Sequence, residues 1–352
     1  MLHKLIIYLN ETEQSLIYQG ASHLRKNLVD EVSIFYDKII LTFDRSKPVS
    51  LKTSLFSSNS LLRYELQKAL CFYLAVRGIL PEVQAITLEK NEDTQSLEDL
   101  AFAQKWHKCR VARRLDPSIA ASIFQHDAEA KASYIAMTFY LKAQLDHFSH
   151  DRFRAAWSGF NALYTTFTSE AESEEWKKIK ATNRYFELNE LKEARQIVSG
   201  LDEAFWNKLD WYSFTRNLCT DKNGKVKKID NVKQSVYSLR DAMLITRVSG
   251  YMKSVVYTDQ EGNYGKKADY QRCAKEIERN IKANDVSYVA RAQFLVVDYC
   301  YMLRNRSFHA NKAYPLFMFD SGEEECTVED ILTKLLLITI EGILKANMST
   351  EG

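Results

Sequence analysis

Backbone breakers are scarce in this chain, with 11 glycines and 4 prolines among 352 residues. A glycine inside a helix costs about 1 kcal/mol relative to alanine and a proline about 3 kcal/mol. A chain that lacks both can keep long helices joined by short connections. The length suffices for two domains, or for one large domain with an embellishment. At 46% hydrophobic and 27% charged, the composition is that of a globular protein, not a disordered one. A net charge of +2 gives no global field for nucleic acid, so any cationic patch must be local.

The helical signal dominates after the turn at Asp116-Pro117-Ser118. The segment from Ser118 to Ser149 has helical spacing. The next places Phe153, Trp157, Phe160, Leu163, Tyr164 and Phe167 on one stripe at steps of three and four. Asn161 falls between these aromatic positions and needs a hydrogen-bond partner if it is buried. Helices are predicted through 202–219, 232–257 and 285–305. A last one follows Thr327, an N-cap with an acidic first turn. Everything from about residue 118 onward is expected to be essentially all helical, with Trp157, Phe160, Tyr164 and the helix 286–303 in one core.

The first third is mixed. Residues 4–9, 38–43 and 83–90 are short, β-branched runs bounded by polar or turn residues, and they read as strands. Between them, Leu62, Leu66, Ala69, Leu70 and Tyr73 share a helical face that Gly78 can end. A further helix is predicted over 96–115, capped by Ser96 with Asp99 three residues on. The expected class is therefore mainly α: residues 1–116 form a small α+β or mostly helical domain, and residues 117–352 a helical bundle.

Several chemistries find no support in the sequence. Cys71, Cys109, Cys219, Cys273, Cys300 and Cys326 stand singly, with no C-x-x-C pair, as expected for reduced thiols in the cytoplasm. The apolar run at the N-terminus is too short for a signal peptide, and none reaches eighteen residues, so no membrane span is predicted. Phosphate-loop, nucleophile-elbow and zinc-protease motifs are absent. His107 and Cys109 are two apart and would face different ways on a helix. Asp146, His147, His150 and Asp151 sit where one helix gives way to the next, a place that collects His and Asp for dipole and capping reasons. Neither metal nor cofactor is expected.

One element does suggest chemistry. The run from Asp298 to Phe317 reads DYCYMLRNRSFHANKAYPLF: an apolar helix that ends in Arg304-Asn305, with His309 following. Arginine offers a planar fork of donors suited to phosphate. Histidine titrates nearest neutrality and can give or take a proton. Five residues apart, the two would stand about 140° apart on a regular helix. They converge only if the helix frays after Arg304, or if two copies face each other. The lysine-rich loop 221–228 is a candidate phosphate contact, against the ordinary alternative of a solvated loop.

YMLRNRSFHAN, preceded by AQFLVVDYC, resembles the signature of the HEPN superfamily, an Arg followed four to six residues later by His, often with Asn directly after the Arg. FRAAWSGFNALYTTF is similar to the aromatic, Asn and Tyr pattern in the first helix of the larger, ApeA-like HEPN domains. The resemblance covers about residues 133–347. It implies a helical bundle that pairs two motifs across a homodimer. Many such domains are metal-independent ribonucleases of toxin–antitoxin, phage-defence or RNA-processing systems, while others are inactive and bind RNA or proteins. By position, Arg304 would bind the scissile phosphate, His309 would be the general acid/base, and Asn305 would fix local geometry. Arg306, Lys312, Asn161, Lys227 and Lys228 are candidate substrate contacts. Ala310 stands where Gly often follows the His, and Asn311 where one subgroup carries the Tyr that its antitoxin modifies. The expectation is an endoribonuclease, with a non-catalytic RNA- or protein-binding module as the alternative.

Overall fold

The structure is a computed structural model that describes residues 2–25, 28–45, 49–57, 60–90, 93–97, 109–125, 127–168, 174–221, 225–258, 264–266, 268–281, 286–308 and 327–348. Packing divides the chain into two compact units, Met1–Lys178 with Ile340–Gly352, and Ile179–Thr339. Position 116/117 lies inside the first. Trp157, Phe160 and Tyr164 belong to the first unit, and the helix 286–303 to the second.

The first unit begins with strands β1 (Leu2–Leu9), β2 (Leu16–Arg25), β3 (Leu28–Phe35) and β4 (Lys38–Asp44). Helices α1 (Leu51–Phe56) and α2 (Leu61–Arg77) follow, then β5 (Val83–Lys90) and β6 (Asp93–Leu97). The strands form one antiparallel sheet in the order β2-β3-β4-β1-β5-β6. Central β1 sets Leu5 opposite Leu41 and Leu88, and Ile7 opposite Ile39 and Ile86. All six are buried, and such cross-strand apolar pairs are the unit of sheet stability. The three strands expected at 4–9, 38–43 and 83–90 are therefore present.

Helix α2 buries Leu62, Leu66, Ala69, Leu70 and Tyr73, the predicted face. The Ser60 side chain accepts from the Arg63 amide at its start, and Gly78 ends it in the left-handed region at φ 75°. Glu65 and Lys68 also point inward from α2 and are 0% and 4% exposed. Ser22 Oγ donates to Glu65 Oε2, and Lys68 Nζ lies 3.1 Å from Glu65 Oε1. Opposite Ser22 on β3 is Asp30, which Arg45 grips with two hydrogen bonds of 2.8 and 2.6 Å. A buried polar network thus sits within an apolar helix–sheet interface. Burial pushes the Glu65 carboxyl above its ordinary value, against the pull of Lys68 and Ser22.

The helix expected over 96–115 is not found in its described parts. Ser96 lies in β6 opposite Thr87, and 109–111 run back along the end of α2, with the Val111 amide on the Gly78 carbonyl at 2.8 Å. The β5 edge offers backbone partners that local capping signals cannot outweigh. Asp99 and His107 lie outside the described residues.

Asp116 caps α3 (Pro117–Ala121), with Pro117 at its first position. Next come α4 (Ala128–Leu145) and α5 (Ser149–Phe167). Along α5 the stripe Phe153, Trp157, Phe160, Leu163 and Tyr164 is buried, and Phe167 is half-buried. Gly159 lets α4 and the residues after 339 approach α5. A Cβ there would sit 3.1 Å from the Ala136 carbonyl oxygen and 3.0 Å from Ile340 Cδ1. Helix α6 (Glu175–Ala181) spans the boundary between the units.

The second unit holds α7 (Lys192–Ser199), α8 (Glu203–Lys208), α9 (Trp211–Cys219), α10 (Ile229–Tyr237), α11 (Ala242–Met252) and α12 (Ala268–Asn280). Then come α13 (Tyr288–Gln293), a π turn over Phe294–Tyr299, α14 (Cys300–Phe308) and α15 (Val328–Met348), whose residues from Ile340 on belong to the first unit. Thr327 caps α15, and Asp330 bonds back to the Thr327 amide at 3.1 Å. Trp206, Trp211, Phe214 and Phe294 form an aromatic core, with Trp211 and Phe294 stacked at 5.3 Å.

The expectation of an all-helical region after 118 needs correction. Val256–Thr258 and Tyr264–Lys266 pair as a two-stranded antiparallel ribbon, β7 and β8. Val255-Val256-Tyr257-Thr258 is β-branched and aromatic, and Gly262 and Gly265 follow closely, so strand propensity and turn chemistry agree there. Among the described residues no helix is long and apolar enough to cross a membrane.

Candidate functional site

The candidate site is built on the helix that runs from Tyr288 to Phe308. Ser287 caps it, accepting from the Ala290 amide at 3.2 Å. The start is fixed by Asp241, fully buried at the head of α11. Its Oδ2 accepts the Ser287 amide at 2.9 Å and Arg291 Nε at 3.0 Å, while Oδ1 accepts the Leu244 amide. The Arg291 guanidinium lies 5.9 Å from the Trp206 ring centre and 5.5 Å from that of Tyr288. Leu295, Val296 and Val297 are fully buried in the π turn, which is where the sequence is most apolar.

Beyond the π turn the helix carries Arg304 and Asn305. Arg304 Nη1 donates to Asn305 Oδ1 at 2.9 Å, so the asparagine orients the guanidinium fork. Both residues are half-exposed. A second arginine, Arg306, donates through Nη1 to Asp210 Oδ2. Asp210 is also the N-cap of α9: Oδ1 accepts the Ser213 amide at 2.9 Å, and its own amide donates to Tyr299 Oη at 2.8 Å. Burial pulls the Asp210 carboxyl upward, but the Ser213 amide and the Arg306 guanidinium outweigh it and hold it below the usual carboxylate range. Tyr299 and Arg306 are seven residues apart and share a face, and Arg304 stands on another.

The remaining candidates are dispersed. His309 and Lys312 lie outside the described residues. Asn161 is half-exposed on α5, in the other unit. Lys227 Nζ donates to the Asn217 and Leu218 carbonyls at 3.3 and 3.1 Å, which closes the C-terminal end of α9. Lys228 is exposed just before α10. His147 and His150 fall at the junction of α4 and α5, and among the described residues no three His, Cys, Asp or Glu gather as a metal site.

Four site residues were not picked out from the sequence: Asp210, Lys180, Gln293 and Asp298. Asp298 carried a signal, since an acid inside FLVVDYCY is rarely buried without a partner. Lys180 supplies that partner at 2.7 Å. Comparison with protein-family models, curated proteins and solved structures finds no match.

Proposed function

We propose that the chain is a HEPN-type, metal-independent endoribonuclease that works as a homodimer in the cytoplasm. The observation that carries this is the Arg304–Asn305 contact in the last part of a largely buried helix, where both residues are half-exposed. It presents an oriented guanidinium where the chain runs on towards His309. Arg304 would bind the scissile phosphate and the negative charge that grows on its oxygens. His309 would take the proton from the 2′-hydroxyl or give one to the departing 5′ oxygen. Asn305 holds the fork in place. Lys312 and Lys228 are further phosphate contacts, and Arg306 and Lys227 are weaker ones. The setting is a toxin, a defence system or RNA processing, with an antitoxin or defence protein as partner.

A second reading, a non-catalytic RNA- or protein-binding module, draws support from two cations already committed to folding. Arg306 is held by Asp210, and Lys227 by the carbonyls of α9. End-group analysis after incubation with RNA in EDTA separates the readings. The enzyme yields 2′,3′-cyclic phosphate and 5′-hydroxyl ends, and the Arg304→Ala/His309→Ala double variant yields none. Binding without cleavage favours the module.

A further inference from the structure

The helix that carries Arg304 changes its winding on the way. From Phe294 to Tyr299 it bonds in the wider π register, a feature often found near functional sites. Two side chains at the ends of this turn reach the same short segment, 180–183. Gln293 Nε2 donates to the Asn183 carbonyl at 3.0 Å. Asp298 takes Lys180 Nζ on both carboxylate oxygens, at 2.7 and 2.9 Å.

Gln293 and Asp298 are five residues apart. On an α-helix they would stand about 140° apart and could not both face one segment. The i→i+5 bonding of a π turn brings residues five apart onto the same side. The two tethers therefore fit the π turn and misfit an α-helix. The turn has a consequence downstream: each residue added to a helix rotates all that follows by about 100°. The side of α14 on which Arg304 stands depends on whether the turn is kept.

The desolvation of Asp298 offsets what its ion pair adds to stability. Its carboxyl is 12% exposed, and burial raises it above the usual range despite the attraction of Lys180. A buried ion pair often contributes no more than an apolar pair of the same size. We propose that Asp298, with Lys180, is a positioning residue: the ion pair holds the π turn and so fixes the side of α14 that presents Arg304 and Asn305. Tyr299 and Arg306, bonded to Asp210, hold the same helix on another side. This inference rests on the ribonuclease reading of Arg304.

The test uses the full chain as Asp298→Asn, Lys180→Met, the exchanged pair Lys180→Asp/Asp298→Lys, and Arg304→Ala. RNA cleavage in EDTA gives kcat and KM separately, and hydrogen exchange follows the amides of 294–304. Each single charge loss should lower kcat by about 10²-fold with KM within about threefold of the parent, because a misplaced group costs rate and not ground-state binding. Exchange over 294–304 should quicken. The exchanged pair should recover about tenfold of the lost kcat, which a purely structural disturbance would not. A parental kcat in Asp298→Asn, with Arg304→Ala inactive, overturns the proposal, as does unchanged exchange. If Arg304→Ala cleaves as well as the parent, or the parent cleaves no RNA, the ribonuclease reading fails instead. Exchange then decides whether the ion pair holds the turn.

Discussion

Asp210 offers a graded test of how the helix bearing Arg304 is held, because its carboxylate does two separable things. Oδ1 caps α9 through the Ser213 amide at 2.9 Å, a contact typically worth about 1 kcal/mol. Oδ2 pairs with Arg306, and since the two side chains are 38% and 33% exposed, the pair is worth about 0.5 kcal/mol after solvent screening. Asp210→Ala loses both and should cost about 1.5 kcal/mol, whereas Asp210→Asn keeps the cap and should cost only about 0.5 kcal/mol. Arg306→Ala should match the asparagine variant. Urea-dependent hydrogen exchange at the amides of 211–219 reads these differences within the second unit. The pH dependence has a definite sign. The Asp210 carboxyl is held below the ordinary range, so as pH falls the unfolded chain takes up its proton first. The pair's contribution is therefore full above the unfolded value of about 3.9 and lost as pH falls through the lower folded value. The gap between wild type and Asp210→Asn should close in acid. An asparagine variant as damaged as the alanine one, or a gap that widens in acid, would refute this account of the contact.

In the first unit, Lys68→Met should cost about 3 kcal/mol by stranding the Glu65 carboxylate, and the joint replacement Glu65→Leu/Lys68→Met should cost less than Lys68→Met alone, as urea titration would show. Because burial raises the Glu65 carboxyl, its contribution is full below the unfolded value of about 4.3 and lost as pH rises through the folded one. Glu65→Gln should therefore gain on wild type between acid and neutral pH, measured by the same titration. Gly78→Ala should cost about 1–2 kcal/mol, since φ is 75° there and a Cβ would fall 2.6 Å from Arg114 Nε; a thermal melt unchanged from wild type would contradict it.

Strands β1, β4 and β5 were legible because their β-branched runs stand out from polar flanks. Strands β2 and β3 were not, because two of their inward positions are Ser22 and Asp30, which break the apolar alternation. Strand β6 is exposed at four of its five positions and carries no apolar stripe at all. Its Ser96, three residues before Asp99, imitates a helix start, so the pairing with β5 overrode a local signal. At the candidate site, Arg304 and Asn305 stand out where the apolar run gives way to polar residues, but the helix expected to end there continues to Phe308. Their supports were not: Asp210 lies 96 residues from Arg306, and Lys180 lies 118 residues from Asp298. Contacts of that span leave no local pattern. The π turn was equally hidden, since a run as apolar as Phe294–Val297 has no polar side to reveal a change of period.

The most direct test of the central claim is the rate of RNA cleavage in EDTA by the wild-type chain and by Arg304→Ala. Removing one donor aimed at a developing oxyanion usually costs about 10²–10³-fold in kcat, and that is the ratio expected here. Circular dichroism and thermal melting should stay close to wild type, since Arg304 is half-exposed near the end of its helix. A variant that cleaves within about threefold of wild type would contradict a phosphate-binding role for Arg304, because no such donor would then have been lost.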